Sequence, residues 1–103
     1  MSHWVPVTCV GDLPNGTARE VVAGGRVVAV FNVDGKFFAL DGICPHQGGP
    51  LGKGKLDGCI LTCPWHGWQF DVRTGQHQVN PSLLHPAFPV RIDGDIVLVD
   101  IEG

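Results

Sequence analysis

The stretch "RVVAVFNVDGKFFAL", residues 26–40, places Asp34-Gly35 between two apolar runs rich in valine and phenylalanine. Glycine tolerates the positive φ of a tight turn, and β-branched and aromatic residues favour extended backbone. The stretch therefore predicts a β-hairpin. Near the end of the chain, "FPVRIDGDIVLVDI", residues 88–101, has the same arrangement around Asp93-Gly94 and predicts a second hairpin.

Short apolar runs extend the β prediction to the rest of the chain. We expect further strands at residues 4–10, 19–23, 59–62, 69–72 and 76–79. No long amphipathic helical pattern lies between them. A chain of 103 residues is enough for one small domain with a single core. We therefore predict an all-β fold over residues 1–103, a small antiparallel sandwich or barrel.

Composition and charge exclude several classes of protein. The net charge is −3, with the acidic excess at the end of the chain, which gives no basic surface for nucleic acid. No run approaches the ~18 apolar residues of a membrane helix, and the N-terminus lacks a signal peptide pattern. We therefore predict a cytoplasmic protein that binds neither nucleic acid nor membrane. A reducing cytoplasm favours metal sites over disulfides for the cysteines.

Two glycine-edged segments interrupt the strand pattern. "CPHQGG" spans residues 44–49 and "CPWHGW" spans residues 63–68, and each contains one cysteine and one histidine. The first belongs to a loop, residues 41–55, whose prolines and glycines exclude a regular strand or helix. A loop of this length in a compact domain is usually functional. We expect both segments at tips of the β scaffold, where they can face one another.

The spacing of the candidate ligands is Cys44-x-His46, then sixteen residues, then Cys63-x-x-His66. Two thiolates and two imidazoles can bind a tetrahedral zinc ion, or a [2Fe–2S] cluster with both cysteines on one iron and both histidines on the other. Zinc pairs usually come as C-x2-4-C with H-x3-5-H, whereas here each segment contributes one ligand of each type. The pattern favours a cluster held between two loops and leaves zinc as the alternative.

With these two motifs, the glycine-rich end of the first and the following "HGWQFDVRTG", residues 66–75, the chain resembles the Rieske-type ferredoxins. These are the ferredoxin components of bacterial ring-hydroxylating dioxygenase systems. The resemblance implies one Rieske-type [2Fe–2S] cluster, with Cys44 and Cys63 on the inner iron and His46 and His66 on the outer iron, near solvent.

The resemblance also implies a Rieske-type fold in which a cluster-binding subdomain, made of two loops at about residues 41–80, is inserted in the β base. Asn80-Pro81 is a looser match to the proline-containing loop that covers the cluster in this family. Trp68 and Phe70 stand where respiratory Rieske proteins have hydroxyl donors to the cluster. Fewer hydrogen bonds to sulfur imply a reduction potential near the lower end of the Rieske range of about −150 to +300 mV.

The implied function is electron transport rather than catalysis. The resemblance implies a carrier that passes single electrons from a flavin-dependent ferredoxin reductase to a terminal oxygenase, in the catabolism of aromatic hydrocarbons. The chain contains no G-x-G-x-x-G motif for a dinucleotide and no recognisable site for mononuclear iron. A monomer is expected.

Partner proteins are expected to dock around the exposed histidine ligands. We predict an uncharged, rather apolar rim formed by Gln47, Gly48, Gly49, Pro50, Leu51, Pro64 and Trp65, with Pro81 in the loop over the cluster. A small neutral contact suits rapid exchange between two electron-transfer partners. Trp68 is expected to pack the cluster loops onto the sheet.

The remaining cysteines and histidines are predicted to have ordinary roles. Cys9 and Cys59 are expected to be small buried apolar side chains, and His77 and His85 to be solvated loop side chains. Two other functions stay open. A small Rieske-like subunit of an assimilatory nitrite reductase would copurify with a sirohaem subunit. A structural zinc-binding interaction module would be colourless and redox-silent.

Overall fold

The computed structural model describes residues 2–44, 48–65 and 67–102, and within these ranges the chain is almost entirely β-structure. The strands are β1 (Trp4–Cys9), β2 (Ala18–Ala23), β3 (Arg26–Val33), β4 (Lys36–Asp41), β5 (Lys55–Asp57), β6 (Ile60–Thr62), β7 (Gln69–Asp71), β8 (Ala87–Phe88), β9 (Val90–Asp93) and β10 (Ile96–Asp100). Single turns of 3-10 helix follow β1 and precede β5, at Val10–Asp12 and Leu51–Lys53.

The strands of the described residues form three antiparallel sheets, in the orders β1-β10-β9, β2-β3-β4-β8 and β5-β6-β7. The predicted all-β antiparallel fold is therefore confirmed. The sheets do not close into one barrel within these ranges, so the sandwich is the better description. No helix in the described part of the chain is long and apolar enough to cross a membrane.

Both predicted hairpins are present. Asp34 and Gly35 have φ values of 52° and 85°, the left-handed conformation that a two-residue turn between twisted strands requires. The turn places Val33 opposite Lys36 in the β3–β4 pair. The second hairpin joins β9 to β10.

The central hairpin separates two hydrophobic cores. Successive side chains of a strand point to opposite faces of its sheet. On β3, Val28 and Val30 belong to a core formed with the sheet of β1, β9 and β10, whereas Ala29 and Phe31 belong to a second core beneath the ligand segments. The sequence predicted a single core, and this expectation is wrong because both faces of β3 are apolar and both are covered.

Three further elements differ from the sequence prediction. The expected strand at residues 76–79 is absent, and only isolated bridges pair Phe70 with His77 and Gln76 with Leu84. The Gln78 N–H still donates to the Gln69 carbonyl of β7, but the N–H groups of Val79 and Asn80 donate to the side chain of His77, so the chain leaves the sheet here. The short strands β5 and β8 were not predicted, because β5 has a single apolar residue between two charged ones and β8 has only two residues.

Candidate metal centre

The two ligand segments are closed by their own backbone hydrogen bonds. In the first, the Cys44 N–H donates to the Gly49 carbonyl at 2.8 Å and the Gly48 N–H donates to the Cys44 carbonyl at 2.9 Å. In the second, the Cys63 N–H donates to the Trp68 carbonyl at 2.7 Å. The first segment follows β4 and the second joins β6 to β7, so both lie at strand ends as predicted. The predicted subdomain of two loops thus includes the small sheet β5-β6-β7 as its support.

The two cysteines of these segments lie together in the second core. Cys44 is 2% exposed and Cys63 is 1% exposed, and neither forms a disulfide. Burial raises the pKa of the Cys63 thiol, and the neighbouring Cys44 thiol, which is within hydrogen-bonding reach, raises it further. The Trp65 backbone acts in the opposite direction. Two thiolates buried side by side are unfavourable without a cation, so this pair fits a metal centre that supplies the positive charge.

Gly49 brings the two segments into contact. A Cβ at this position would lie 2.8 Å from the Cys63 Sγ and 3.0 Å from the Trp65 Cβ. No larger residue fits without moving one segment away from the other. The neighbouring Gly48 is required for a different reason, because its φ of 75° is one that L-residues rarely adopt.

The predicted histidine ligands His46 and His66, and Gln47 of the predicted rim, lie outside the described residues. The described residues beside them are exposed, namely Gly48, Pro64, Trp65 and Gly67. In the second segment a buried cysteine is followed by exposed residues on both sides of its histidine, and in the first the exposed Gly48 lies two residues after its histidine. Within residues 2–44, 48–65 and 67–102 no three His, Cys, Asp or Glu side chains are grouped to hold a metal ion. The assignment of all four ligands stays a prediction.

The predicted docking rim needs one correction. Gly48, Pro64, Trp65 and Pro81 are exposed and Pro50 is half-buried, but Gly49 is buried and Leu51 is fully buried. Leu51 begins the 3-10 turn after Pro50, and its side chain packs in the second core with both cysteines. It is therefore a core residue and has no place on a docking surface.

Sequence reasoning missed two apolar side chains at this end of the molecule. Ile43, next to the first cysteine, is 49% exposed, and Val79, after the second segment, is 84% exposed. Trp65, already part of the predicted rim, is 50% exposed. A sequence signal was available for Ile43, because it lies in the loop of residues 41–55, whose prolines and glycines exclude a regular strand.

The interpretation of His77 and His85 as solvated loop side chains is wrong. They are only 7% and 5% exposed, since both rings pack against Phe70, with centroids 5.3 and 5.4 Å from its ring. His77 also contacts Trp68, with centroids 4.7 Å apart. Trp68 is half-buried and packs against the second core. The two spare cysteines, Cys9 and Cys59, are half-buried rather than buried.

Comparison with known families identifies the class of protein to which this centre belongs. The Rieske [2Fe-2S] domain family matches residues 3–89, and the chain belongs to this family. It carries one Rieske-type [2Fe–2S] cluster, and the buried thiol pair agrees with that cofactor. The cluster supplies one-electron chemistry. Relatives named as ferredoxin components of dioxygenase systems indicate that the chain is an electron carrier rather than a catalyst.

Individual relatives narrow the class to small ferredoxins. The chain is 42% identical over 94 residues to the biphenyl dioxygenase ferredoxin subunit of Pseudomonas sp. strain KKS102, covering 88% of this chain and 85% of the relative. It is 31% identical over 101 residues to the ferredoxin component of the naphthalene 1,2-dioxygenase/salicylate 5-hydroxylase systems of Ralstonia sp., covering 97% of both.

A solved structure agrees with these sequence relatives. The chain is similar to a chain in the complex of reduced oxygenase and oxidized ferredoxin in carbazole 1,9a-dioxygenase, with a TM-score of 0.86 and 32% identity. The similarity covers 94% of this chain and 92% of that one. The chain described here is thus a Rieske-type ferredoxin in both sequence and fold.

Proposed function

We propose that this chain, as a single domain of residues 1–103, passes single electrons from a flavin-dependent ferredoxin reductase to the terminal oxygenase of a ring-hydroxylating system. The proposal includes a cytoplasmic location and a monomeric state. It is supported by relatives named as ferredoxin components of dioxygenase systems and by the similarity to a ferredoxin–oxygenase complex. The observation that carries it is an uncharged, exposed apolar surface beside two buried thiols.

The proposed ligands are Cys44 and Cys63 on the inner iron and His46 and His66 on the outer iron. The burial of both cysteines and the exposure of Trp65 and Gly67, on either side of His66, support this orientation. A cluster held this way has one iron within the protein and one close to the surface. Electron transfer requires close approach of a cofactor edge, so partners are expected to meet the surface beside the histidines.

We name this docking surface the tip, and define it as Ile43, Pro64, Trp65 and Val79. All four are exposed. Pro64 and Trp65 belong to the second ligand segment, Ile43 directly precedes the first, and Val79 lies in the chain after the second. The sequence around them, residues 42–44, 48–50, 63–65 and 78–84, contains no Asp, Glu, Lys or Arg. Contact with partners should then rest on apolar area, which favours a small, short-lived complex.

The first experiment identifies the centre and its use together. Protein reduced with dithionite should give a rhombic EPR signal whose average g lies below the free-electron value. The reduced protein should then transfer its electron to a terminal oxygenase of the biphenyl dioxygenase type, measured by stopped-flow absorbance. Absence of the EPR signal from a protein that contains zinc would overturn the proposal at the level of the centre.

A surface variant tests the docking step separately. Trp65→Ala should slow electron transfer to the oxygenase while leaving the EPR spectrum unchanged, because large aromatic side chains often dominate contact energies. Raising the ionic strength should change the rate little, since the tip has no charged groups to screen. A rate that falls steeply with salt and is unaffected by Trp65→Ala would show that partners dock elsewhere.

The two alternative functions have less support. A zinc-binding interaction module does not agree with membership of the Rieske [2Fe-2S] domain family. The alternative of a small subunit of an assimilatory nitrite reductase is not favoured, because the relatives are named as ferredoxin components of oxygenase systems.

A further inference from the structure

Two buried histidines stand at the two ends of an exposed segment. We call residues 78–84 the strap, which runs from His77 to His85 at the ligand end of the molecule. Nearly all of the strap is exposed, with Val79 84% and Leu84 64% accessible, and only Leu83 is half-buried. Backbone hydrogen bonds hold part of it, from Gln78 N–H to the Gln69 carbonyl and from His77 N–H to the Leu83 carbonyl. A segment that buries so little surface needs further contacts at its ends to keep one position.

The first end of the strap is attached through the ring of His77. Its Nδ1 accepts the backbone N–H of Val79 at 3.1 Å and that of Asn80 at 3.0 Å. A ring nitrogen that accepts two N–H groups carries no proton, so the neutral ring has its proton on Nε2. The same ring stands at 80° to the indole of Trp68 in the second ligand segment. His77 therefore connects the strap to that segment.

The second end is attached through the ring of His85. Its Nε2 lies 2.7 Å from the backbone carbonyl of Asp41. A carbonyl can only accept, so this nitrogen is the donor and carries the proton of the neutral ring. Asp41 is the last residue of β4, where the loop with the first ligand segment begins. His85 therefore connects the strap to the start of the first ligand loop.

The other nitrogen of each ring indicates why histidine stands at these positions. His77 Nε2 and His85 Nδ1 are buried and have no hydrogen-bond partner among the described residues. Both rings lie against Phe70, in surroundings that an apolar side chain could fill without an unpaired polar atom. An unpaired buried nitrogen lowers stability. Histidine is therefore explained by the one nitrogen that each ring does use, rather than by packing.

We propose that His77 and His85 are positioning residues that fasten the strap to the two ligand loops and thereby fix the surroundings of the cluster. Each acts through one nitrogen, His77 as an acceptor and His85 as a donor. The inference rests on the presence of the Rieske cluster and does not depend on which proteins exchange electrons with it.

Two matched pairs of variants separate hydrogen bonding from packing. His77→Asn retains an acceptor, Oδ1, close to the place of Nδ1, whereas His77→Phe retains an aromatic ring without an acceptor. His85→Gln retains a donor, Nε2, close to the place of the imidazole Nε2, whereas His85→Phe has none. Each variant is loaded with its cluster, and the experiment needs neither reductase nor oxygenase.

The measurement is hydrogen–deuterium exchange of the strap by mass spectrometry, with the EPR spectrum of the reduced cluster as the second readout. Loss of one or two hydrogen bonds should make the strap exchange about tenfold faster in each Phe variant. The same variants should shift the g-values. The Asn and Gln variants should stay within about twofold of the wild-type exchange rate and keep its spectrum.

The strand β10, at Ile96–Asp100, is the internal control, because it lies in the other core and should keep its protection in every variant. Wild-type exchange in the Phe variants would overturn the proposal. Equally fast exchange in the Asn or Gln variants would also overturn it, since the rings would then act by packing alone. If one Phe variant fails to fold, shown by loss of protection in β10, the pair at the other histidine decides by the same criteria.

Discussion

The two hydrophobic cores lie on opposite faces of β3, and they differ in what completes them. The core beneath β1, β9 and β10 is formed by hydrocarbon side chains, among them Leu13, Val28 and Val99. The core beneath the ligand segments contains both predicted ligand cysteines, Cys44 and Cys63, in its centre. The first core can form through the packing of its own side chains, without a cofactor. The second contains two thiols that metal binding converts to ligands, so its stability should depend on the cluster.

Two glycines hold the first ligand loop close to its neighbours. In the second core, here called the cluster core, a Cβ at Gly49 would lie 2.8 Å from the Cys63 Sγ. A Cβ at Gly52 would lie 2.6 Å from the backbone of Glu20 on β2. The ligand loops are thereby pressed against the scaffold. The loops have little regular structure of their own, so close packing and the cluster must supply the rigidity that strand pairing gives the other core.

The strongest test of the comparison exchanges a cysteine in each region. Cys63→Ser should abolish the Rieske EPR signal and lower the thermal midpoint, because it removes a thiolate ligand and leaves a hydroxyl in the cluster core. Cys9→Ser, on β1 and half-buried, should retain the full signal. Iron analysis and EPR of both variants give the answer. A Cys63→Ser protein with a normal Rieske spectrum would remove this residue from the ligand set.

A large-to-small substitution in each core tests whether retention of the cluster depends on the packing of only one core. Leu61→Ala in the cluster core and Leu13→Ala in the other core should each lower the free energy of unfolding by about 2–5 kcal/mol. Leu61 is 0% and Leu13 3% exposed, so the two deletions are comparable. Only Leu61→Ala should speed the loss of cluster absorbance in the presence of an iron chelator. Equal rates of loss in both variants would mean that the two cores act as one unit.

A pair of exposed isoleucines compares the surfaces of the two regions. Ile43 at the tip and Ile92 on β9 are 49% and 46% exposed. Ile43→Ala should lower the rate constant of electron transfer to the oxygenase by about fivefold, roughly 1 kcal/mol, because it removes docking area. Ile92→Ala should leave the rate unchanged. Stopped-flow kinetics measure both, and an equal effect of the two substitutions would contradict the assignment of the tip.

The smallest expected effect is a pH-dependent change in the thermal midpoint caused by a buried carboxylate. Each region contains one, Asp71 in the cluster region and Asp100 in the other. The Arg73 side chain, hydrogen-bonded to Asp71 at 2.8 and 3.0 Å, lowers the pKa of that carboxyl in the cluster region. In the other region, the backbone N–H of His3 and then that of Glu102 lower the pKa of Asp100. The main cause of the lowered pKa is a side chain for Asp71 and a backbone N–H for Asp100, and only a side chain can be removed by substitution.

The sign of the pH effect follows from the lowered pKa of Asp71. Its ionised form stabilises the fold above the unfolded pKa of about 3.9, and this contribution disappears as the pH falls through the lower folded value. Arg73→Gln should therefore lower the thermal midpoint slightly at pH 7, and the difference from wild type should shrink below about pH 4. The effect is small because Arg73 is 57% exposed and solvent screens the pair. If the difference in thermal midpoint is the same at pH 7 and below about pH 4, it arises from packing of the Arg73 side chain rather than from the charge of Asp71.

Much of the fold and the class of the site could be predicted from the sequence. Asp34-Gly35 between apolar runs determined the central hairpin, because a two-residue turn needs residues that tolerate positive φ. The spacing of Cys44, His46, Cys63 and His66 favoured a [2Fe–2S] cluster over zinc, because each segment contributes one ligand of each type, and the assignment of these four ligands stays a prediction. Both signals are local, since they depend on residues close together in the chain.

Tertiary structure alone decided the features that depend on contacts between distant residues. The sequence did not show that Leu51 is buried, that His77 and His85 are enclosed around Phe70, or that both faces of β3 are covered. Whether a side chain is exposed depends on what packs over it, and that partner can come from anywhere in the chain. The sequence by itself determined the turns and the ligand types. The fold decided which side chains became core, which were left at the tip, and which histidines could attach the strap.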